Sequence, residues 1–220
     1  MIKYIFFDWG YTLINSFVDV DDEIEKIVSK YGKSWKDIFK IWRNYHYLHS
    51  LGRISSKQEK YEQISLLTGV SVADLEKIGN LLLESHILES ETTETLKFLK
   101  DKGYTLGIIS NNIDEDVRYI IKREKIEHLF DFVVCSSTVG ERKPSAKIFL
   151  EAYKNIPKEE YKNILFISDE LSEDIIGSMA LGTKTAWICK STVNSWRKSE
   201  PEIFETDYKI KSVSELKNLL

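Results

Sequence analysis

The sequence is poor in residues that interrupt a chain or cross-link it. Its 220 residues include only three prolines, ten glycines and two cysteines. So few prolines and glycines argue against long disordered linkers, and two cysteines cannot supply the disulfide framework of a small secreted domain. Because Cys135 and Cys189 both lie in apolar, strand-like runs, we expect both to be buried thiols in a reducing environment.

Long apolar runs and an excess of basic charge are also missing. No stretch approaches the roughly 18 apolar residues that a membrane span needs, and the first apolar run, YIFF, meets Asp8 at once, so we expect no signal-peptide core there. The net charge of −4 and the pI near 5.7 argue against a nucleic-acid or membrane surface as the main partner. We therefore expect a cytoplasmic monomer or homodimer that acts on a small molecule, with no nucleic acid and no membrane as partner.

Short apolar runs alternate with amphipathic patterns over most of the chain. Strand character is found in IKYIFFD, TLGIIS, DFVVC, NILFIS and TKTAWIC, and helical patterns in DEDVRYIIKREKI, SAKIFLEAYKNI and EDIIGSMALG. Apolar strands that alternate with helices are typical of an α/β fold, here a doubly wound parallel sheet covered on both faces. The final SVSELKNLL predicts a closing helix capped by Ser212 or Ser214.

The alternation is interrupted once, between about residues 16 and 90. This segment has no convincing strand, and its pattern predicts four helices with stop signals at Gly32, Gly52 and Gly69 and a Ser71–Asp74 capping spacing. We expect an all-helical cap domain over 16–90, inserted into a core made of 1–15 and 91–220. Ligands of open α/β sheets bind at the carboxyl ends of the strands, so an insertion there is placed to act as a lid.

Polar side chains follow the apolar runs at four places. Asp8, Ser110 and Asp169 each come at or just after the end of a run, Lys143 follows FVVC in VGERKPSAKIF, and Asp174 lies five residues beyond Asp169. Taken singly, each reads as a cap, a turn residue or a surface charge. Because parallel strands all end on one edge, the set is expected to converge there.

These segments resemble the motifs of the haloacid dehalogenase (HAD) superfamily of hydrolases, in the branch with a helical cap after the first motif. FFDWGYTL resembles motif one, IISNN motif two, the lysine of GERKP motif three and SDELSED motif four. The likeness spans nearly the whole chain. It implies a Rossmann-like core and a hydrolase that acts on a small, phosphorylated metabolite.

The resemblance also implies roles for individual residues. Asp8 would be the nucleophile that forms an aspartyl-phosphate, Thr12 would fix its turn, and Ser110 and Lys143 would bind and neutralise the phosphoryl group. Asn111 and Arg43 would contact substrate. Mg²⁺ would be the cofactor, and its implied ligands are Asp8, the carbonyl of Gly10, Asp169 and, directly or through water, Asp174.

Gly10 departs from the family pattern, because phosphatases of this superfamily usually carry a second aspartate two residues after the nucleophile. That aspartate protonates the leaving oxygen and activates water, and its loss should slow hydrolysis of alkyl phosphates by about 10²–10⁴-fold. One reading is a phosphatase whose leaving group needs little protonation, or whose acid comes from Tyr11 or the cap. A second is a dehalogenase-like hydrolase with an aspartyl-ester intermediate, since halide leaves without a proton and Arg43 stands in a matching stretch of the cap.

Two further readings remain open. A related branch cleaves carbon–phosphorus bonds through a cap lysine, for which Lys57 or Lys60 could be proposed. Alternatively, the site binds a phosphate or metabolite without turnover. The retained acids and Lys143 argue against a decayed site. Candidate substrate contacts lie on the second cap helix and just beyond it, with packing inside the cap as the alternative for each: Trp42, Arg43, Tyr45, His46, Tyr47 and Arg53.

Overall fold

A six-stranded parallel sheet forms the core of the protein. The structure, a computed structural model, describes residues 1–189 and 205–220. In spatial order the strands are β5-β4-β1-β6-β7-β8, and every neighbouring pair is parallel. Their bounds are β1 Tyr4–Phe7, β4 Thr105–Ser110, β5 Phe132–Cys135, β6 Ile164–Ser168, β7 Lys184–Ile188 and β8 Tyr208–Ile210.

Both faces of the sheet are covered, as the apolar strands predict. Along β1, Ile5 and Phe7 belong to one buried cluster and Phe6 to another, because successive side chains of a strand point to opposite faces. The first cluster includes side chains of α5 and α6, and the second includes side chains of α8. The core helices are α5 Ser90–Asp101, α6 Asp114–Arg123, α7 Ser136–Val139, α8 Ala146–Ala152, α9 Ile176–Met179 and α10 Leu216–Leu219. Shorter turns add a π-type turn at Leu171–Ile175 and 3₁₀ turns at Glu127–Leu129, Lys158–Asn163 and Val213–Glu215.

Four helices between β1 and α5 form the cap. They are α1 Asp21–Val28, α2 Trp35–Ser50, α3 Lys57–Thr68 and α4 Val72–Glu84, with a 3₁₀ turn at Ser29–Tyr31 after α1. Ser34, Ser56 and Ser71 cap the last three, each accepting a hydrogen bond from the backbone N–H three residues on. The four helices enclose an apolar cluster of their own. The fold class of a doubly wound sheet with an inserted helical cap is thus confirmed.

The prediction of a strand-free segment between 16 and 90 is wrong at both of its ends. β2 (Ile14–Phe17) and β3 (His86–Leu88) pair antiparallel and form a ribbon where the cap joins the core. The segments INSF and HIL include polar residues and lack the continuous apolar run that marks the strands of the core sheet. The domain limits at 16 and 90 fall inside or next to this ribbon, and we retain them as a proposal.

The structure adds one further strand that the sequence does not predict, β8, and corrects two smaller expectations. Ser212 stands at the start of the C-terminal turn, but no side-chain cap bond is formed there by Ser212. Both cysteines are free thiols, yet only Cys135 is buried, whereas Cys189 follows the last residue of β7 and is exposed.

In the part of the chain that the structure describes, no helix is long and apolar enough to cross a membrane.

Candidate active site

The carboxyl ends of β1, β4 and β6 bring the polar motif residues to one edge of the sheet. Phe7 is in register with Ile108 of β4 and with Ile167 of β6. Asp8 continues β1 by one residue, and its N–H donates to the carbonyl of Ile167 at 2.9 Å. Since neighbouring strands lie about 4.8 Å apart, Asp8 emerges beside the ends of both adjoining strands.

Lys143 connects two carboxylates at this edge. Its Nζ donates to Asp8 Oδ1 at 2.6 Å, to Asp174 Oδ2 at 2.7 Å and to the carbonyl of Ile109 at 3.0 Å. Burial alone would lower the pKa of Lys143, but the negative charges of Asp174 and Asp8 outweigh burial and raise it. The lysine therefore stays a cation beside the proposed nucleophile.

Asp174 lies behind this lysine. Its Oδ2 also accepts a hydrogen bond from Ser168 Oγ at 2.6 Å, and the residue is 1% exposed. Burial raises the pKa of Asp174 to about 7; the Lys143 ammonium opposes that shift and the charge of Asp8 adds to it. These contacts make Asp174 a residue that positions Lys143.

Thr12 joins the turn after β1 to the end of β6. Its Oγ1 donates to Asp169 Oδ1 at 3.2 Å and accepts from the Asp169 N–H at 3.2 Å. Trp187 Nε1 of β7 donates to the carbonyl of Asp169 at 3.2 Å. The Asp169 carboxylate is thereby held next to the turn that carries Asp8.

Asn111 fixes the loop that carries Lys143. Its Oδ1 accepts from the Lys143 N–H at 2.7 Å, and its Nδ2 donates to the Lys143 carbonyl at 3.2 Å and to Glu173 Oε2 at 3.1 Å. The peptide bond between Lys143 and Pro144 is cis. Since the oxygen and the nitrogen of its side-chain amide are both engaged within the protein, a substrate contact by Asn111, which remains a prediction, would have to displace Glu173.

The turn after Asp8 has an unusual pair of residues. A Cβ placed on Gly10 would meet no atom within 4 Å, so space is open where the usual acid would stand. Tyr11 has φ of 57°, a left-handed conformation that costs a residue with a side chain about 1–2 kcal/mol. Its ring packs against Phe17 with centroids 5.3 Å apart. A strained residue at such a position is a functional candidate.

A cavity of about 470 Å³ lies between this turn and the cap. Gly10 and Tyr11 line its core side, and Trp42, Arg43 and His46 line its cap side together with Lys57 and Lys60. Tyr45, Tyr47 and Arg53 are absent from its lining within the described residues. The volume suits a small metabolite. Another cavity, of about 540 Å³, lies along the β5 edge strand, away from the motif residues.

The donors available for a metal ion are few. Across residues 1–189 and 205–220, no group of three or more His, Cys, Asp or Glu side chains is arranged to hold one. Asp8 and Asp169 offer two carboxylates, both 8% exposed, and the backbone of Gly10 offers a carbonyl. Hard divalent cations prefer such oxygen ligands and keep several waters.

The structure thus brings Asp8, Thr12, Lys143, Asp169 and Asp174 together, and Ser110, 3% exposed, ends β4 at the same edge. Sequence reasoning missed Ser168, whose partner Asp174 lies six residues on in the turn after β6, and Trp187, whose partner Asp169 follows the neighbouring strand. It also missed Arg142, next to Lys143, whose Nη1 donates to Ser50 Oγ at 2.6 Å and to the Asn111 carbonyl at 3.1 Å. A charged residue before the motif lysine carries no signal of that contact in the sequence.

The chain is similar in sequence to known phosphatases. A glyceraldehyde 3-phosphate phosphatase of Methanothermobacter thermautotrophicus is 35% identical over 130 residues, which are 59% of this chain and 57% of that protein. The pyrophosphatase PpaX of Bacillus mycoides is 27% identical over 194 residues, covering 79% of this chain and 86% of the relative. The chain spans about half the length of the first of these curated relatives.

Solved structures share the fold. A HAD phosphatase from Thermococcus onnurineus superposes with a TM-score of 0.67 at 22% identity, over 99% of this chain and 97% of the other. A 2-haloacid dehalogenase from Pseudomonas syringae reaches 0.70 at 20% identity, over 100% and 98%. Residues 5–188 match the family described as haloacid dehalogenase-like hydrolase. The chain belongs to the haloacid dehalogenase-like hydrolases.

Proposed function

We propose that the protein is a phosphatase of small phosphorylated metabolites, with Asp8 as its nucleophile. The observation that carries this proposal is the Asp8–Lys143–Asp174 arrangement, in which a buried ammonium is fixed 2.6 Å from the Asp8 carboxylate. A cation held there offsets the negative charge of an incoming phosphoryl group. Relatives named as phosphatases of glyceraldehyde 3-phosphate and phosphoglycolate, and as a pyrophosphatase, support the same reaction type.

The reaction proceeds in two displacements. A carboxylate oxygen of Asp8 bonds to phosphorus while the bond from phosphorus to the leaving oxygen breaks, and the leaving oxygen takes up a proton. Water then attacks the aspartyl-phosphate, the bond between phosphorus and Asp8 breaks, and phosphate leaves with the carboxylate restored. Lys143 neutralises charge throughout, and Asp174 and Ser168 hold Lys143 in place.

Mg²⁺ fits the oxygen donors at this edge. Asp8, Asp169 and the carbonyl of Gly10 would hold it, and Thr12 would orient the Asp169 carboxylate. Asp174 would act at a distance, because its Oδ2 already accepts from Lys143 and Ser168. When bound, the cation would offset the repulsion between the nucleophile and a phosphate dianion.

The missing acid at Gly10 restricts the leaving group. An acyl phosphate or an anhydride leaves with little need for a proton, so such substrates suit this site better than alkyl esters. Tyr11 lines the cavity and is 47% exposed. Its phenol is our candidate for the proton donor.

A second candidate function is dehalogenation of 2-haloacids. Arg43 lines the same cavity as Gly10 and could bind the acid's carboxylate, and halide leaves without a proton. In that case Asp8 would form an ester with the carbon that loses the halide. Binding without turnover is the third possibility, and it predicts no covalent intermediate.

One screen separates these functions. Purified protein is assayed with alkyl phosphates, acyl phosphates and 2-chloropropionate, each with Mg²⁺ or with EDTA, and Asp8→Asn serves as the inactive control. We expect Mg²⁺-dependent phosphate release, fastest from acyl phosphates. Chloride release in EDTA would instead establish a dehalogenase. The absence of chloride release, of phosphate release and of an aspartyl-phosphate with acetyl phosphate would favour binding without turnover.

The substitution Gly10→Asp tests the account of the missing acid. The open space around Gly10 accommodates the side chain, and the restored carboxyl should raise alkyl-phosphatase activity by up to about 10²-fold. Gly10→Asn is the matched control, since it has the same shape and no acid. Equal rates for the two variants would show that protonation is not what limits this enzyme.

A further inference from the structure

Lys60 places an ammonium group at the cap end of the active-site cavity. The residue lies on α3, is 2% exposed, and lines the cavity together with Gly10 and Arg43. Its Nζ lies 4.6 Å from the ring centre of Trp42 and 4.9 Å from that of Tyr61. Aromatic faces attract a cation but do not replace an ionic partner. A lysine buried in this way is rare without a paired acid.

The acids near Lys60 are already paired with another lysine. Asp116 Oδ1 lies 2.7 Å and Glu115 Oε1 3.5 Å from Lys57 Nζ. Within the described chain, Lys60 forms no salt bridge of its own. His49, also buried, has an Nδ1 atom without a hydrogen-bond partner. The ammonium group of Lys60 is therefore buried beside acids that pair with Lys57 instead.

The electrostatics of this cluster agree with its geometry. Burial lowers the pKa of Lys60 to about 8, with Asp116 opposing the shift and Lys57 adding to it. Burial and the charge of Lys60 lower the pKa of His46 to about 4 and also lower that of His49. The ionisable groups facing Lys60 are Lys57 and Tyr61 on its own helix, His46 and His49 on α2, and Glu115 and Asp116 on α6. Burial is the largest cause of the lowered pKa of Lys60, as expected of a buried cation without an ion pair of its own.

We propose that the cap end of the cavity is a subsite for a second anionic group of the substrate, bound by Lys60 and assisted by Arg43 at the more exposed side. The inference rests on the proposed phosphatase function and names its substrate class: a small molecule with a phosphoryl group at one end and a carboxylate or second phosphate at the other. The cavity of about 470 Å³ accommodates such a molecule with its phosphoryl group at the Gly10 end.

An anionic group bound at this subsite would be the ionic partner of Lys60. It favours the charged form of Lys60 and returns the pKa of that lysine toward its ordinary value. Substrate binding should therefore take up a proton near pH 8. Discrimination between substrates should weaken as the pH of the assay rises above about 8, because free Lys60 becomes neutral there.

A set of three phosphate esters tests the subsite. Ethyl phosphate lacks a second anionic group, 2-phosphoglycolate adds a carboxylate, and propane-1,3-diyl bisphosphate adds a phosphate. We expect kcat/KM to favour at least one of the two substrates with a second anionic group over ethyl phosphate by about 10- to 100-fold, and the preferred one identifies that group. Lys60→Met should abolish the preference, and Lys40→Met, on the exposed face of α2, should leave it intact.

Lys60→Arg distinguishes charge from structure. Arginine stays charged at all accessible pH values, so this variant should retain the preference at pH 9 where the wild type loses it. A structural role of Lys60 would give no such pH shift. A preference that survives Lys60→Met, or that favours ethyl phosphate in the wild type, overturns the proposal.

Binding measurements separate this inference from the phosphatase function. Calorimetric titration with phosphonoacetate, propane-1,3-diylbisphosphonate and ethylphosphonate, none of which needs turnover, should show tighter binding of at least one of the first two compounds to the wild type and equal binding of all three to Lys60→Met. Weak and equal binding of all three compounds to the wild type refutes the subsite even if phosphatase activity is found. Selective binding without phosphate release refutes the proposed function and leaves the subsite standing.

Discussion

Lys143 and Asp174 form an ion pair of 2.7 Å in which neither side chain is more than 2% exposed. Asp8 shares the same ammonium at 2.6 Å, so one lysine neutralises two carboxylates at the strand edge. Charges taken out of water in this way are costly unless each has a partner. The stability of the fold and the charge state of the proposed nucleophile should thus depend on the same lysine.

Removal of Lys143 should therefore cost more than removal of Asp174. Lys143→Met leaves two buried carboxylates without a cation and should lower the free energy of unfolding by about 3–5 kcal/mol. Asp174→Asn retains the pair between Lys143 and Asp8 and should cost less. Urea unfolding at pH 7.5 without Mg²⁺ measures both. The double variant should lose less stability than the sum of the losses in the two single variants, because the interaction between Lys143 and Asp174 is lost only once. Full additivity would contradict the coupling.

Much of this edge could be predicted from the sequence, because each residue follows a recognisable apolar strand. Asp8, Lys143 and Asp169 were located in that way, since parallel strands deliver their ends to one side of a sheet. Ser168 could not be recognised, because its role is a hydrogen bond to Asp174 that depends on how the turn after β6 coils. A serine at the end of an apolar run is otherwise an ordinary strand residue.

The cap shows where sequence patterns lose information. Its helices were predictable from serine caps and terminal glycines, such as Ser56 before α3 and Gly69 after it. The burial of Lys60 was not, because a lysine in a helical pattern is usually solvated. Its environment is formed by Trp42 of another helix and by Asp116 of the core, and only the packing of cap against core brings these together.

Thr12 should be essential for holding Asp169. Thr12→Val preserves the shape of the side chain but removes both the donor to Asp169 Oδ1 and the acceptor for the Asp169 N–H. We expect the free energy of unfolding to fall by about 1–3 kcal/mol and the Mg²⁺ concentration for half-maximal activity to rise about 10- to 100-fold. Urea unfolding and a Mg²⁺ titration of activity measure these effects. Thr12→Ser keeps the hydroxyl and should stay close to wild type; equal losses in both variants would point to packing of the methyl group instead.

Arg142 should keep the cap closed over the site. Its Nη1 contacts Ser50 at the end of α2, its guanidinium lies 4.8 Å from the ring centre of Tyr47, and Ser136 Oγ donates to the Ser50 carbonyl at 2.6 Å. These are contacts between cap and core away from the β2–β3 ribbon. Arg142→Ala should lower kcat/KM by about 10-fold through an opened cap.

Hydrogen exchange provides the second readout for Arg142. The amides at the end of α2 should exchange faster in Arg142→Ala, whereas those of the central strand β1 should not. Arg118→Ala is the control, because Arg118 forms an exposed pair with Asp114 on the outer helix α6. Unchanged exchange in α2 together with a lower kcat/KM would assign Arg142 to the chemistry of the neighbouring Lys143 loop.

Acid should destabilise the protein through His46. Burial, with the charge of Lys60, lowers the pKa of His46 from its ordinary 6.5 to about 4, so between these values the unfolded chain binds a proton that the folded protein does not. The stabilisation by neutral His46 is complete above pH 6.5 and is lost as the pH falls toward 4, by up to about 3 kcal/mol. Urea unfolding at pH 7.5 and pH 5.0 measures the loss, which His46→Gln should reduce and His128→Gln, at an exposed position, should not. A pH dependence that is identical in the wild type and His46→Gln would place the acid-sensitive group elsewhere, and His49, which is buried beside the same lysine, would be the next residue to replace.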